Sequence, residues 1–541
     1  MLVQQMRHSS PPSTASVLPS VLLNQLRDTP ERNLLFMATA TLQPTPDEAM
    51  DGSSGPLSRQ SRMRLLLMVA AAWALRMVVV AVIFREFPDP ARHYERFGNE
   101  VGWIARSIAQ HQGFSSPFFT LTGPTALLPP LYPYLLSVIF RVFGVYSAKS
   151  ALTILTLNSL FSALTCVPIY MATRLSVNAR VAMFAGWGWA IYPFAIYFSA
   201  GRVWEFSLTS LLLTTCFWLA LSLHLDPRPT RWLGFGALYG LAGLCNPAVF
   251  SLFPVLLLLP LWRLWKLRRD AGYRAFGGLF SGDVLRSGLF AAVGLFVVLT
   301  PWTVRNYRTM HVLCPVRDCF WYEFWSANNG DSSNPTLEWT HPASNPDEMR
   351  LYQSQGEIAY IAHKRALAMD YVSRHPGFFV RLTLRRAVNY WTGFWSLDPN
   401  YIRQEPFQLP NVFFCTSLTL LLLLGARDWW RRDREAALPY LLSIAIFPLA
   451  YYISHPLMDY RQPIEPEIVV LVVVGLRFIK ARIESRAEES GTMRESEAAA
   501  IFAQMGDSVS FPMEHAFGVD DCSCAVCIAA SSDGEPSTSA G

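Results

Sequence analysis

Glu100 stands in the stretch YERFGNEVGWIARSI, residues 94–108, about ten residues after the first long apolar run of the chain ends. Around it Phe97, Val101, Ile104 and Ile108 recur at spacings of four, three and four, which marks one face of an amphipathic helix. His93, Arg96, Glu100, Trp103 and Ser107 form a second row along one border of that face. A helix lying on a bilayer holds such a row at the water boundary, turned toward whatever packs beside it. A carboxylate placed there can take a proton from a water-borne group beside a lipid-borne one, which is general-base chemistry.

Other polar groups gather near the ends of apolar runs. Arg202 and Glu205 lie in AGRVWEF, and Arg305 and Asn306 lie in PWTVRNY. Asn328 and Asn329 follow in FWSANNG. Arg381, Arg385 and Arg386 share HPGFFVRLTLRRAVNYW, with 381 and 385 on one helical face. His455, Asp459, Tyr460 and Arg461 precede the last run, in SHPLMDYRQPIEPE. A charged residue at a span end ordinarily snorkels or fixes depth, so none of these groups is diagnostic alone. Several cations and carboxylates facing one compartment above an apolar bundle suit an anionic lipid head group bound beside a base. Sugar transfer from a polyprenyl phosphate needs such a set: a carboxylate takes the acceptor hydroxyl's proton while cations hold the phosphate as negative charge develops on it. Arginine suits the second task because its planar fork grips phosphate oxygens bidentately. The candidates for donor and phosphate binding are Arg202, Glu205, Arg305, Asn306, Arg385, Arg386, Tyr460 and Arg461.

The elements that must position these groups follow from composition. Of 541 residues 52% are hydrophobic and 16% charged, and the mean hydropathy is +0.24, which is an all-α polytopic membrane protein. Apolar runs at about 65–84, 149–172, 181–199, 205–224, 232–247, 248–264, 287–304, 411–426, 437–454 and 463–479 predict about ten spans. The first is too long for a signal-peptide core and reads as an uncleaved anchor. Arg59, Arg62 and Arg64 precede it and place the N-terminus in the cytoplasm, leaving Glu100 outside. The stretch 127–144, LLPPLYPYLLSVIFRVFG, is apolar but short once its prolines are allowed for. Were it to cross, the later arginine clusters at 174/180, 228/231, 263–274 and 427–434 would all move outside, so it is read as a second surface helix. The expected organisation is a disordered cytoplasmic tail 1–62, a membrane domain 63–480 with external loops 85–148 and 305–410, and a second disordered cytoplasmic tail 481–541. Both tails are polar and without periodicity. The net charge of +5 is explained by cytoplasmic loops rather than by a nucleic-acid partner. Cys314 and Cys319 are close enough in one external loop to pair, and CSCAVC at 522–527 has no second ligand group at zinc-site spacing.

The order of these stretches carries a likeness. An acidic residue on a helix after the first span, then GFSSPF, GPTALLPPLYPYLLSVIFRVFG, SAGRVWE, PWTVRNY and a closing DYRQPIEP resembles bacterial glycosyltransferases of the GT-C superfamily, family 39 type. These are similar to protein O-mannosyltransferases and to the lipid A aminoarabinose transferase. The likeness covers about residues 63–480. It implies a GT-C-like bundle in the inner membrane, a polyprenyl-phosphate sugar donor, a lipid, glycan or protein acceptor, and the acidic residue of the first loop as catalytic base. An acidic pair is common at that place in the family, whereas this chain has Asn99-Glu100, so Glu100 is the matching carboxylate and Asp89 the fallback. No metal ligand is assigned, and a divalent metal ion as cofactor stays open. The competing reading is a transporter or flippase of lipid-linked sugars. Against it stand the absence of an internal repeat and the crowding of charges at span ends. The Asn246-Pro247 break reads as a tight turn, and the GxxxG at 236–240 as a helix-packing face. No phosphate loop, H-E-x-x-H or Rossmann glycine pattern is present, which disfavours ATP-driven transport, zincin hydrolysis and dinucleotide chemistry.

Overall fold

The computed structural model describes residues 55–86, 97–226, 228–270, 282–330, 340–395, 408–454 and 458–506. The chain divides into two compact units, Met1–Ala481 and Arg482–Gly541, and the candidate site lies in the first. Among the described residues the regular structure is helical, and the extended pairing is a single isolated bridge between Ser115 and Pro124. Among the described residues seven helices are long and apolar enough to cross a membrane: Arg59–Phe84, Ala148–Ser176, Phe206–Leu225, Pro247–Asp270, Gly282–Met310, Pro410–Arg432 and Arg434–Ile453. The pair Ala179–Ala190 and Pro193–Gly201, bent by 44°, makes an eighth if it is one span. The expected count of about ten is not reached, for reasons visible in two runs. The run at 232–247 sits in Pro229–Cys245, whose 17 residues reach only about 26 Å against a core of roughly 30 Å. The run at 463–479 opens on Glu465 and Glu467 and closes on Arg477, and Ile468–Val474 are buried by protein.

Pro229–Cys245 packs closely against Gly282–Met310. A Cβ on Gly236 would stand 1.8 Å from the Ala291 carbonyl oxygen, and one on Gly294 would stand 2.1 Å from that of Leu233. The two helix backbones therefore touch, which is the close approach that small residues permit between membrane helices. A cation also sits inside the bundle. Arg76 is fully buried and donates to Ser162 Oγ at 3.0 Å and to the carbonyls of Ala72, Ala190 and Trp189 at 3.0, 2.9 and 3.3 Å. The last two carbonyls belong to the break before Pro193, where the ring nitrogen has no hydrogen to give. Arg76 thus caps the bend with a side chain where water is absent.

The first loop holds two short helices, Glu100–Ala109 and Leu131–Phe143, as the amphipathic patterns require. The second has 13 residues, about 20 Å, and does not span. The expected stripe is buried: Phe97, Val101, Ile104 and Ile108 all face the core, and Phe97 meets Phe140 and Tyr146 with ring centroids 5.7 and 5.2 Å apart. The helix starts later than its apolar pattern, at Glu100, because Gly98 and Asn99 turn the chain through φ of 86° and 44°. A Cβ on Gly98 would lie 2.4 Å from the Val203 carbonyl oxygen, so the turn is pressed against the SAGRVWE mouth in a way only glycine allows. Asp89, His93 and Arg96 lie outside the described residues.

Two clasps join this loop to the long segment after Gly282–Met310. Glu357 accepts from Ala126 N–H at 2.6 Å, from Tyr352 Oη–H at 2.7 Å, and from the Thr125 hydroxyl. Arg305 donates to the Phe114 and Thr125 carbonyls at 2.6 and 2.7 Å while lying over the Trp302 ring. Cys314 and Cys319 are free thiols, so the pairing considered from their spacing is absent; Cys319 Sγ is instead 3.2 Å from Glu323 Oε1. The helix contact at Gly236 gives a direct test. Gly236→Ala should destabilise by about 1–3 kcal/mol through overpacking, measured by thermal unfolding in detergent, whereas Gly234→Ala, which faces open space, should be neutral or slightly stabilising. Equal melting of both variants would contradict the backbone contact.

Candidate functional site

A cavity of about 150 Å³ opens where the start of Glu100–Ala109, the Leu127–Pro133 stretch, the Trp204-Glu205 mouth, Asn246, the 317–326 segment and His341 converge. Tyr132, Tyr322, Tyr451 and Tyr460 form much of the remaining wall. Glu100 is placed there by the Gly98-Asn99 turn, in the first turn of its helix.

His341 fixes Glu100. Its Nε2 is 2.6 Å from Glu100 Oε1, and its Nδ1 accepts the Ala343 backbone N–H at 3.1 Å. With Nδ1 taken by a backbone N–H, Nε2 is the ring nitrogen turned to the carboxylate. The Phe118 and Tyr322 rings hold the imidazole edge-on, at centroid distances of 5.5 and 6.2 Å. Glu100 and His341 retain 16% and 25% side-chain exposure, enough for a ligand in the cavity to reach them.

On the same wall Arg317 forks over Glu323, with Nη1–Oε1 at 3.2 Å and Nη2–Oε2 at 3.5 Å. Glu323 rides on the helix Phe320–Ala327, and Arg317 on the irregular chain before it. Glu205 completes the acidic set, accepting from Asn246 Nδ2 at 3.4 Å. Burial pushes its carboxyl up to about 8, with Glu323 adding repulsion and Arg317 opposing the rise, so at neutral pH it is mostly protonated. Asn246 takes part because the Asn246-Pro247 break turns it there: its Oδ1 caps the 3₁₀ turn Pro247–Leu252 through Ala248 N–H. Glu100 and Glu323 thus share the cavity with Arg317, the one arginine among the described residues that line it.

Of the residues singled out in the sequence, Glu100, Glu205 and Tyr460 line the cavity. Arg305 and Asn306 bind loop carbonyls: Asn306 Nδ2 donates to Cys314 O at 3.0 Å. Arg386 is buried and donates to Asn328 Oδ1 at 3.0 Å and to the Ala327 and Ile453 carbonyls, behind the helix that carries Glu323. Arg461 is buried too, paired with Glu465 and donating to Tyr390 O at 3.1 Å; its neighbour Tyr460 stacks on Tyr451 at 5.0 Å. Arg202 is exposed and lies over Tyr197, and Arg385 is exposed over Phe394. Asp89 and His455 lie outside the described residues, as does the side chain of Asp459. Sequence reasoning missed Arg317, Glu323 and His341. Arg317 and Glu323 flank Cys319 in VRDCFWYEFW, and a charged pair around that aromatic helix was the available signal; His341 in WTHPAS gave none. Among the described residues no three His, Cys, Asp or Glu side chains come together as a metal site would require.

With this geometry in view, the chain was compared with known proteins. Residues 128–276 match the family model described as dolichyl-phosphate-mannose-protein mannosyltransferase. The likeness read from the order of motifs thus has a match of its own kind, and the matched segment contributes Pro129, Tyr132, Trp204, Glu205, Cys245 and Asn246 to the cavity. No curated protein matches. Among solved structures, the apo form of the Archaeoglobus fulgidus oligosaccharyltransferase is 16% identical, over 80% of this chain and 52% of that one, with a TM-score of 0.45. The same organism's oligosaccharyltransferase AglB, in complex with an inhibitory peptide and a dolichol-phosphate, is 13% identical over 82% and 54%, with a TM-score of 0.40. The chain spans about half the length of these relatives.

Asp318, next to Arg317, supplies a pH test of the site's frame. Both its carboxyl oxygens are buried and lack a hydrogen-bond partner. Burial raises its carboxyl from 3.8 to about 8, Glu357 adding to the rise and Arg317 opposing it. A carboxyl raised in the folded state lends stability that is full below the unfolded value and is lost as pH climbs through the folded one. Asp318→Asn should therefore melt like the parent near about pH 4 and higher than the parent near about pH 9. A variant that melts lower than the parent at the alkaline end would show that ionised Asp318 stabilises the fold.

Proposed function

We propose that this protein is a membrane glycosyltransferase that moves a sugar from a polyprenyl-phosphate donor to a hydroxyl of a lipid, glycan or protein acceptor on the external face. The observation that carries this reading is the sharing of one cavity, at the mouth of an apolar helix bundle, by a histidine-bound carboxylate and an arginine, Arg317. The family match over residues 128–276 and the order of motifs along the chain support the same class.

In this reading Glu100 is the general base. The acceptor hydroxyl gives its proton to the carboxylate, the acceptor oxygen bonds to the sugar's anomeric carbon, and the bond from that carbon to the phosphate oxygen breaks. The electron pair stays with the phosphate, whose growing charge falls to Arg317 and to the hydroxyl groups of Tyr460 and protonated Glu205. His341 Nε2 lies against Oε1, which fixes the carboxylate and leaves Oε2 aimed for the proton. Arg305, Asn306, Arg386 and Arg461 position the walls, and Arg202 and Arg385, being exposed, are suited to guiding the anionic head group in.

Glu100→Gln keeps shape and hydrogen bonding but cannot take a proton, so turnover should fall by roughly 10²–10⁴-fold with donor binding and melting temperature nearly unchanged. His341→Ala should cost less and should lower kcat more than it changes donor KM, because the carboxylate loses the contact that aims it. A merely structural role for His341 would lower the melting temperature and leave the kcat of the folded enzyme in place. Full turnover by Glu100→Gln together with a dead Asp89→Asn would transfer the base to Asp89.

A further inference from the structure

Resting on the reading of the cavity as a lipid-phosphate site, we propose that Glu323 is a counter-carboxylate that competes with the lipid phosphate for Arg317 and thereby drives release of the product. Among the described residues Arg317 is the one arginine lining the cavity. Its fork onto Glu323 is loose: 3.2 and 3.5 Å, against about 2.7–2.9 Å for close charge-assisted bonds. Glu323 Oε1 is also shared with the Cys319 thiol at 3.2 Å. The carboxylate is held on a helix whose Trp325 carries Lys364 3.6 Å above its ring, so it stays in place, whereas Arg317 sits on irregular chain. Both side chains are about three-quarters buried, where charges act on one another with little screening.

The chemistry of transfer gives this pair a task. The donor is a phosphodiester with one negative charge. When the bond to the anomeric carbon breaks, the electron pair goes to phosphate oxygen and the acceptor's proton goes to Glu100, so the lipid product is a phosphomonoester carrying up to about two charges at neutral pH. Arg317 therefore holds product more tightly than donor, and an unopposed arginine would stall the enzyme in its product complex. Glu205 does not oppose it, being mostly protonated at neutral pH. Glu323 does: its fixed charge penalises the second phosphate charge on top of the first, and the departing lipid returns Arg317 to it.

The test uses the full chain in detergent and, as probe, a short-chain polyprenyl phosphate titrated against tryptophan fluorescence. Glu323→Gln should bind the probe about tenfold more tightly than the parent, Arg317→Ala about ten- to hundredfold more weakly, and the double variant like Arg317→Ala. Glu323→Asp, which keeps the charge, should stay near the parent. In steady-state turnover Glu323→Gln should show stronger inhibition by the probe with little change in donor KM. Should Glu323→Gln fail to fold, Glu323→Ala removes the same charge and carries the same expectation. Unchanged or weaker binding in the charge-removed variants, with a parent that binds, overturns the release role alone; a parent that does not bind the probe overturns the lipid-phosphate reading beneath it.

Discussion

In the proposed reaction the base must be held at one depth and one angle, and the contact between Glu100 and His341 meets that demand. The two residues are 241 positions apart, so their hydrogen bond is also a tie between the first loop and the long segment beyond the Gly282–Met310 helix. The imidazole is itself fixed, since its second nitrogen is committed to Ala343 N–H, so the position of one side chain sets that of the other.

The surrounding structure is arranged to keep that contact in register. Gly98 and Asn99 end the approach of the chain and start the helix at Glu100 itself, and the Gly98 backbone is pinned against Val203 at the mouth of the neighbouring span. Glu357 and Arg305 take the loop from its other end, through Phe114, Thr125 and Ala126. Deeper in, Arg76 caps the bent pair whose far end leads to Val203, so a buried cation in the bundle bears indirectly on the site. The polar groups are thus divided between a few that face the cavity and a larger number that hold its walls.

That division explains what could be read in advance. Local periodicity exposed the stripe of Phe97, Val101, Ile104 and Ile108, and with it the orientation of Glu100; the short apolar segment 131–143 was recognised as unable to cross; Gly236 and Gly240 were read as a packing face. These are properties of one helix, and sequence carries them directly. Which arginine faces the cavity is a property of three or four segments meeting, and no spacing encodes it. Arg305 and Arg461 had the expected chemistry but are committed to carbonyls and to Glu465, while Arg317 and His341 sat in stretches without periodicity. The count of about ten spans is not confirmed, because an apolar run does not say whether lipid or protein covers it: Ile468–Val474 are buried.

The most direct measurement follows a donor carrying one label in the sugar and another in the phosphate, given to purified protein in vesicles together with a hydroxyl-bearing acceptor. Transfer predicts that the labels separate: the sugar passes to the acceptor, and lipid phosphate accumulates in equal amount. If the labels stay joined while the intact lipid changes leaflet, the protein moves its ligand instead of reacting it, and the role given to Glu100 is wrong.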